Sequence, residues 1–340
     1  PTEYKHTLLL RLNPLSVKYD RRLLPTMGEK MHRAPALQLR RVRKSFGSHH
    51  VLKNVSFTVP KGSIYGIIGL SGSGKTTLLR TMVGYYDIDG GSILIDGSPI
   101  KDTDLSTKVG FTTQENCFYE DLTLWDNIVY FSKLYSVPKQ GLEQKALQLL
   151  HLVELDEFLH ARADTLSGGM KRRFDLVISL LHNPKILILD EPATGLDPVL
   201  RRKIWFIVKY INSFGVTVII CSHLLRDLET LCTGVSLLHK GTIVTSGSPY
   251  QLRNLFSTHF NLSIYTKPGD YKRVFHTIRK AKVSIGKPSK QNGRLIIPTT
   301  APKEVLKALT KALEEAHEEI EDIKIEKPGL EDLMSRIGTS

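Results

Sequence analysis

The sequence predicts an α/β protein with a parallel central sheet, an attached antiparallel β portion, and a small C-terminal α+β ferredoxin-like domain. From Leu37 onward, short β-rich runs alternate with runs of helical period. The runs KILILD and VTVIICS each follow a helical stretch, which predicts parallel neighbours in one sheet. Near residue 260 the pattern changes to βαββαβ, the split arrangement of ferredoxin-like domains. We therefore predict a basic extension at 1–35, a main domain at 36–258 and an accessory domain at 259–340.

Individual elements follow the same periodicities. In the main domain, strands are predicted at LQLRRV, VSFTV, SIYGIIGL, SILID and KVGFTT, and a helix is predicted to begin at Lys75. A mainly helical block runs from Leu122 to about Arg162. In the accessory domain, strands are predicted at FNLSIYT, VSIGKPS, RLIIPTT and EIEDIKIE, and helices at DYKRVFHTIRKAK and PKEVLKALTKALEEAHEE. A short helix, GLEDLMSRI, is expected after them.

Composition argues against several classes of protein. No apolar run approaches the roughly 18 to 20 residues that a membrane-spanning helix needs, so we expect any membrane role to come through a partner. The N-terminal residues lack the pattern of a secretion signal. Cys117, Cys221 and Cys232 are far apart and fit neither a metal pattern nor a disulfide framework, which favours a reducing cytoplasm.

Positive charge is concentrated in the first residues of the chain. The formal net charge is +13, and residues 1–50 hold eleven Lys and Arg against three Asp and Glu. Such a segment either meets nucleic acid or anionic lipid headgroups, or is a solvated tail. The composition leaves both alternatives open.

A phosphate-binding loop is predicted between an apolar strand and the helix that begins at Lys75. The residues GLSGSGKT match the pattern GxxxxGK[ST] in the strand–loop–helix context that the pattern requires. Glycines leave room for backbone amides to surround phosphate, Lys75 is expected to reach the β- and γ-phosphates, and the Thr76 hydroxyl to ligate magnesium. The expected nucleotide contacts of this loop are Gly69, Ser71, Gly72, Ser73, Gly74, Lys75, Thr76 and Thr77.

Two carboxylates, Asp190 and Glu191, follow the apolar strand Ile186–Leu189. Ligands of open parallel sheets bind at the carboxyl ends of the strands. Asp190 is therefore expected to hold magnesium, and Glu191 to orient and polarise the attacking water. Two acidic residues after a strand also occur as the N-terminal cap of a helix, so this stretch alone does not decide between the two roles.

Three stretches together indicate a family. GLSGSGKTT, TLSGGMKRR and ILILDEPATGLDP occur in this order at spacings that resemble the nucleotide-binding subunit of an ABC transporter. LSGG just before KRR and DEP is specific, because Rossmann domains, kinases and GTPases lack it. The resemblance covers roughly Leu37 to Leu252. It implies a P-loop ATPase fold with a helical signature subdomain, ATP and Mg²⁺ as cofactors, and ATP hydrolysis.

The resemblance assigns further roles residue by residue. Phe46 matches the aromatic residue that stacks on adenine, and Gln114 the glutamine that contacts the metal and water. Asp197 matches the loop that crosses to a second subunit, and His223 the histidine that contacts the γ-phosphate. Taken singly, such residues are more often structural, as a core aromatic, a loop residue, a helix cap and a satisfied histidine. Their order between the identified motifs favours the functional roles.

The stretch Ser167, Gly168 and Gly169 opens a helix and offers a second set of amides to phosphate. In ABC proteins this set acts on the nucleotide of the other subunit, which implies a head-to-tail dimer with a second nucleotide-binding subunit, identical or different. Met170 stands where many members have glutamine, and this change leaves the amide donors intact.

The resemblance also implies a partner and a location. The stretches EDLTLWDNIVYFSKLYSV, EPATGLDPVLRRKIW and KPGLEDLMSRI are similar to subunits of bacterial and archaeal exporters. We therefore expect a transmembrane permease on a separate chain, peripheral attachment at the cytoplasmic face of the membrane, and no specific nucleic acid. The alternatives are a soluble ABC ATPase acting on nucleic acid or ribosomes, and a regulatory domain without turnover. The accessory domain is expected either to pack against its twin or to sense a ligand.

Overall fold

The computed structural model describes residues 35–256, 260–269, 271–280, 283–291 and 293–327, and within them the strands form three sheets. The strands are β1 (Leu37–Phe46), β2 (His49–Val59), β3 (Ile64–Ile68), β4 (Gly90–Ile95), β5 (Ser98–Pro99), β6 (Val109–Thr112), β7 (Ile186–Asp190), β8 (Thr217–Cys221), β9 (Gly234–His239), β10 (Thr242–Gly247), β11 (Phe260–Lys267), β12 (Ser289–Gln291), β13 (Arg294–Thr299) and β14 (Glu319–Glu326). The helices are α1 (Lys75–Met82), α2 (Leu105–Lys108), α3 (Leu124–Leu134), α4 (Leu142–Leu152), α5 (Gly168–Leu180), α6 (Pro198–Ser213), α7 (Leu225–Leu231), α8 (Pro249–Phe256), α9 (Tyr271–Lys280) and α10 (Pro302–Glu315).

The central sheet has the order β10-β9-β3-β8-β7-β6. Its strands β6, β7, β8, β3 and β9 are parallel, and β10 is antiparallel at one edge. Every residue of β3, β7 and β8 is buried, as expected for parallel strands that are covered on both faces. The predicted parallel sheet is confirmed, whereas β9 and β10 were not foreseen.

A second sheet, of order β2-β1-β4-β5, is antiparallel throughout. Its buried face shares one hydrophobic cluster with the central sheet and α1, so Leu39 and Val55 of this sheet belong to the same core as Ile67 and Leu79. This is the predicted antiparallel portion. It lies beside the loop that follows β3, since the Lys53 amide donates to the Gly241 carbonyl and the Gly241 amide to the Ser73 carbonyl.

The helical block packs against the opposite part of the central sheet. Residues such as Leu124 of α3, Leu150 of α4 and Phe174 of α5 form one buried cluster with Leu187 and Leu189 of β7. Helix α5 is buried along most of its length and passes beneath the loops that follow β6 and β7. This position places its polar residues within reach of both loops.

The C-terminal strands form an antiparallel sheet of order β12-β13-β11-β14, with α9 and α10 closing a separate hydrophobic cluster. This is the strand order expected of a ferredoxin-like βαββαβ unit. The second of its strands was predicted too early in the chain. Within VSIGKPS, the residues before Ser289 contribute a single bridge, Ile285 to Thr299, and the strand itself is β12, which begins at Ser289. Pro288 lacks an amide donor, which disfavours a regular ladder there. The basic extension up to residue 34 and the stretch GLEDLMSRI lie outside the described residues.

Candidate nucleotide-binding site

A cleft of about 440 Å³ lies at the carboxyl end of the central sheet. It is formed where the loops after β3, β6, β7 and β8 meet, because parallel strands bring their carboxyl ends to one edge. The sequence predicted this edge as the ligand site. The cleft is lined by Val51, Ser71, Gly72, Gly74, Lys75, Thr76, Thr77, Gln114, Asp190, Glu191, Thr194 and His223.

The loop between β3 and α1 has the backbone of a phosphate cradle. Gly74 precedes α1 with φ +103°, a conformation that side chains rarely adopt, and a Cβ there would lie 3.2 Å from Leu52. A Cβ on Gly69 would lie 2.6 Å from the Leu238 carbonyl oxygen, so the loop packs too closely for any side chain. The hydroxyl of Ser73 is buried and has no hydrogen-bond partner among the residues that the structure describes. The loop therefore fits a ligand that the helix N-terminus and free amides can bind, namely phosphate.

Lys75 lies at the start of α1 and reaches back over this loop. Its ammonium group donates to the carbonyl oxygens of Gly69 at 2.9 Å and Leu70 at 3.2 Å. The Lys75 side chain thus lines the cleft, and its ammonium group is held at the loop. This is the position from which an ammonium can compensate phosphate charge.

Oxygen donors for a divalent cation converge next to the loop. The Thr76 hydroxyl lies 3.5 Å from the Oδ2 atom of Asp190. Burial raises the pKa of Asp190, and the neighbouring carboxylate of Glu191 raises it further, whereas Lys75 and Thr76 act in the opposite direction. In the described part of the chain, no group of three or more His, Cys, Asp or Glu residues could hold a metal. The hydroxyl and carboxylate suit Mg²⁺, which is usually bound by one or two carboxylates together with substrate phosphates.

Glu191 occupies a constrained position at the end of β7. Its φ is +51°, an uncommon conformation for a residue with a side chain. Its backbone amide donates to the Cys221 carbonyl at 2.9 Å, which ties it to the end of β8. The Oε2 atom lies 2.9 Å from His223 Nδ1 and accepts a hydrogen bond from the Thr194 hydroxyl at 2.7 Å. The carboxylate is therefore oriented from two sides while it faces the cleft.

Gln114 is exposed in the cleft, in the loop after β6.

The structure adds a residue that sequence reasoning did not single out. Arg172 of α5 is buried, and its guanidinium donates to the Thr113 carbonyl beside Gln114 and to the Asp190 and Glu191 carbonyls. The run KRR after LSGG contained this residue, but its spacing gives no sign that the side chain turns inward.

The remaining predicted residues do not line this cleft. Phe46 is 44% exposed at the end of β1, where its ring meets Tyr86 edge-on at 5.1 Å and the Lys44 ammonium lies 5.2 Å from its centroid. Asp197 caps α6 and accepts the amides of Val199 and Leu200. Ser167, Gly168 and Gly169 begin α5 elsewhere, with Ser167 and Gly168 exposed.

The fold and the cleft define a class of protein. A glycine-rich loop before a helix, a lysine over that loop, and a hydroxyl–carboxylate pair beside a second carboxylate together form the site of a P-loop nucleoside triphosphatase. The predicted Lys75, Thr76, Gln114, Asp190, Glu191 and His223 are brought together in one cleft.

Comparisons with known proteins agree with this class. A family model described as ABC transporter matches residues 52–194. The linearmycin resistance ATP-binding protein LnrL of Bacillus subtilis (strain 168) is 34% identical over 218 residues, which are 64% of this chain and 70% of that protein. The Nod factor export ATP-binding protein I of Rhizobium sp. (strain N33) is 34% identical over 219 residues, which are 64% of this chain and 72% of that protein.

A solved structure has the same fold. The ATP-binding cassette MJ0796, in a dimeric post-hydrolysis state bound to ADP and Pi, matches with 26% identity and a TM-score of 0.57, over 62% of this chain and 98% of that chain. The present chain belongs to the ABC transporter family, and it is an ATPase. No helix in the described part of the chain has both the length and the apolar character needed to cross a membrane.

Proposed function

We propose that this chain is the ATP-hydrolysing subunit of an exporter, and that it drives transport through a separate membrane-spanning partner at the cytoplasmic face of the membrane. The names of two relatives support export, since one confers resistance to linearmycin and the other exports Nod factor. The observation that supports turnover most strongly is the position of Glu191, whose carboxylate faces the cleft between His223 and Thr194.

Each residue of the cleft has a separate role in the proposed ATP hydrolysis. Glu191 is placed to polarise the attacking water, and His223 to contact the γ-phosphate and to orient Glu191. Lys75 and the amides of the glycine-rich loop bind the phosphates. Thr76 and Asp190, with Gln114, would hold Mg²⁺, which supplies charge compensation for the phosphate oxygens when it is bound.

The dimer is the second part of the proposal. Ser167 and Gly168 expose a helix N-terminus that suits phosphate, yet it lies away from the chain's own cleft. A second subunit, identical or different, brings a cleft to this surface in a head-to-tail arrangement. Asp197 lies at the start of the next helix and is assigned to the same contact. We assign Phe46 to the adenine, because one exposed aromatic ring at the end of β1 can stack on a base.

One experiment tests the exporter proposal against the nucleic-acid alternative. ATP turnover is measured with RNA at low and high salt, and in liposomes that contain a candidate membrane-spanning protein, sought among the reading frames that neighbour this chain's. We expect stimulation by that protein and none by RNA. Stimulation by RNA that disappears at high salt would favour the alternative, because phosphate contacts release counterions. The accessory domain, which we propose packs against its twin in the dimer, is not needed for this result.

A further inference from the structure

Arg172 is a buried charged residue that the proposed mechanism does not use. It belongs to α5, its side chain is 9% exposed, and it does not line the cleft. A buried guanidinium is costly unless its donors are satisfied. The hydrogen-bond acceptors around the guanidinium therefore indicate the role of Arg172.

The guanidinium has five N–H donors, and the structure gives it five acceptors. Nε donates to the Pro192 carbonyl at 3.1 Å. Nη2 donates to the carbonyls of Asp190 at 2.6 Å and Glu191 at 2.9 Å. Nη1 donates to the Thr113 carbonyl at 2.6 Å and lies 3.5 Å from the carboxylate of Asp175. Three successive carbonyls, beginning at the last residue of β7, and one carbonyl after β6 thus accept hydrogen bonds from a single side chain.

Asp175 anchors the other end of the loop that carries Gln114. Its Oδ1 atom accepts the Cys117 amide at 3.0 Å, and its side chain is 1% exposed. Arg172 holds the residue before Gln114, and Asp175 holds the residue three positions after it. Both anchors come from one turn of α5, so the loop is fixed to a rigid element at two points.

The position of the Glu191 carboxylate depends on the hydrogen bonds that Arg172 makes to the backbone around it, because of the backbone conformation of Glu191. Its φ of +51° is uncommon and persists only when the surroundings determine it. Arg172 fixes the backbone at this point, because it donates hydrogen bonds to the carbonyls before, at and after the strained residue. A displacement there would move the carboxylate relative to His223, and small misplacements of a reacting group lower rates strongly.

We infer that Arg172 is a positioning residue that joins the Gln114 loop to the Glu191 loop and holds the Glu191 carboxylate in its productive place. This inference rests on the proposed role of Glu191 in hydrolysis. Movement of either loop then changes the position of the other, through one side chain that does not itself line the cleft.

The chain offers a matched control in the adjacent residue. Arg173 is equally buried, but its partners belong to another part of the chain: it donates to the Val153 carbonyl and lies 3.5 Å from the Glu154 carboxylate. Arg172→Gln and Arg173→Gln remove the same charge from the same helix. A merely structural role predicts the same effect from both.

The experiment measures kcat and KM for ATP, together with the midpoint of thermal unfolding. We expect Arg172→Gln to lower kcat by about 10- to 100-fold while KM stays within about twofold, because the hydrogen bonds of Arg172 go neither to Lys75 nor to the glycine-rich loop, which we assign to the phosphates. Arg173→Gln should leave kcat within about threefold of the wild type. Equal losses of kcat in the two variants, or a normal kcat for Arg172→Gln, would overturn the inference. If Arg172→Gln does not fold, Arg172→Lys decides, since its three donors cannot serve five acceptors and kcat should still fall.

A double-mutant cycle separates positioning of Glu191 from other effects. In the Glu191→Gln background, single-turnover rates with and without Arg172→Gln should differ by less than about threefold, because the group that Arg172 positions is already absent. A loss there as large as in the wild type would overturn the inference. Failure of the proposed function is seen separately, as normal turnover by Glu191→Gln alone.

Discussion

His223 Nδ1 lies 2.9 Å from the Oε2 atom of Glu191, across the gap between the ends of two neighbouring parallel strands. The same oxygen accepts the Thr194 hydroxyl at 2.7 Å. A carboxylate that is oriented from two sides while facing a cleft has the geometry of a base, and the glycine-rich loop that we assign to phosphate lines the same cleft. The base role that we propose for Glu191 therefore depends on the backbone conformation at the ends of both strands.

Lys75→Ala is expected to weaken ATP binding by roughly 10- to 100-fold, because one charge-assisted contact to phosphate is worth about 1.5 to 3 kcal/mol. Isothermal titration of the purified protein measures the dissociation constant. Lys101→Ala, at an exposed position outside the cleft, serves as the control and should bind ATP normally. Unchanged affinity in Lys75→Ala would remove Lys75 from the phosphate site.

Ser167→Arg is expected to abolish steady-state turnover while leaving ATP affinity of the isolated chain within about twofold of the wild type. The new side chain would obstruct the exposed helix N-terminus that we assign to the partner's nucleotide. Ser213→Arg, also exposed, at the last residue of α6, is the matched substitution and should turn over normally. A loss of ATP affinity in Ser167→Arg would contradict action across the dimer.

Thr76→Val should raise the Mg²⁺ concentration needed for half-maximal turnover, because valine keeps the shape of threonine but lacks the hydroxyl beside Asp190. Thr76→Ser retains the hydroxyl and should stay close to the wild type. Chelation of Mg²⁺ should stop turnover in all three proteins. If Thr76→Val and the wild type respond to Mg²⁺ alike, Thr76 is not a ligand.

Asp175→Asn should change how stability depends on pH. Burial raises the pKa of Asp175 from 3.8 to about 6, against the opposing effects of the Cys117 amide and Arg172. Because this pKa is raised in the folded state, the folded state binds a proton at a higher pH than the unfolded state does. The free energy of unfolding therefore rises as pH falls through 6, and it decreases as pH rises. Relative to Asp175→Asn, the wild type should gain about 1 kcal/mol between pH 7 and pH 5. Thermal midpoints of both proteins at the two pH values measure this, and a constant difference would contradict the assigned pKa.

Much of the fold followed from the sequence because its strands are strongly patterned. Ile186–Leu189 is an uninterrupted apolar run, and such runs in parallel sheets are buried on both faces. By contrast, VSIGKPS has apolar residues of suitable spacing, but Gly286 and Pro288 interrupt its ladder, so the strand begins later at Ser289. Alternation alone does not show where backbone pairing fails.

The site was predictable where chemistry is local in sequence, as in the loop from Gly69 to Thr76. Arg172 was not predictable, because its acceptors are backbone carbonyls up to 59 residues away and any residue type can supply a carbonyl. The assignment of Phe46 to the adenine base stays a prediction: its ring meets Tyr86 and lies near the Lys44 ammonium, and it does not line the cleft.

The most direct test of the account is sedimentation of Glu191→Gln with and without ATP and Mg²⁺, beside steady-state turnover of the variant and the wild type. Glu143→Gln, at an exposed position on α4, is the control for loss of a carboxylate. We predict that the wild type and the control hydrolyse ATP, that Glu191→Gln turns over at least about 100-fold more slowly, and that it forms a dimer when ATP is present. Turnover by Glu191→Gln at the wild-type rate, or a monomer in both conditions, would contradict the central claim that Glu191 drives hydrolysis within an ATP-dependent dimer.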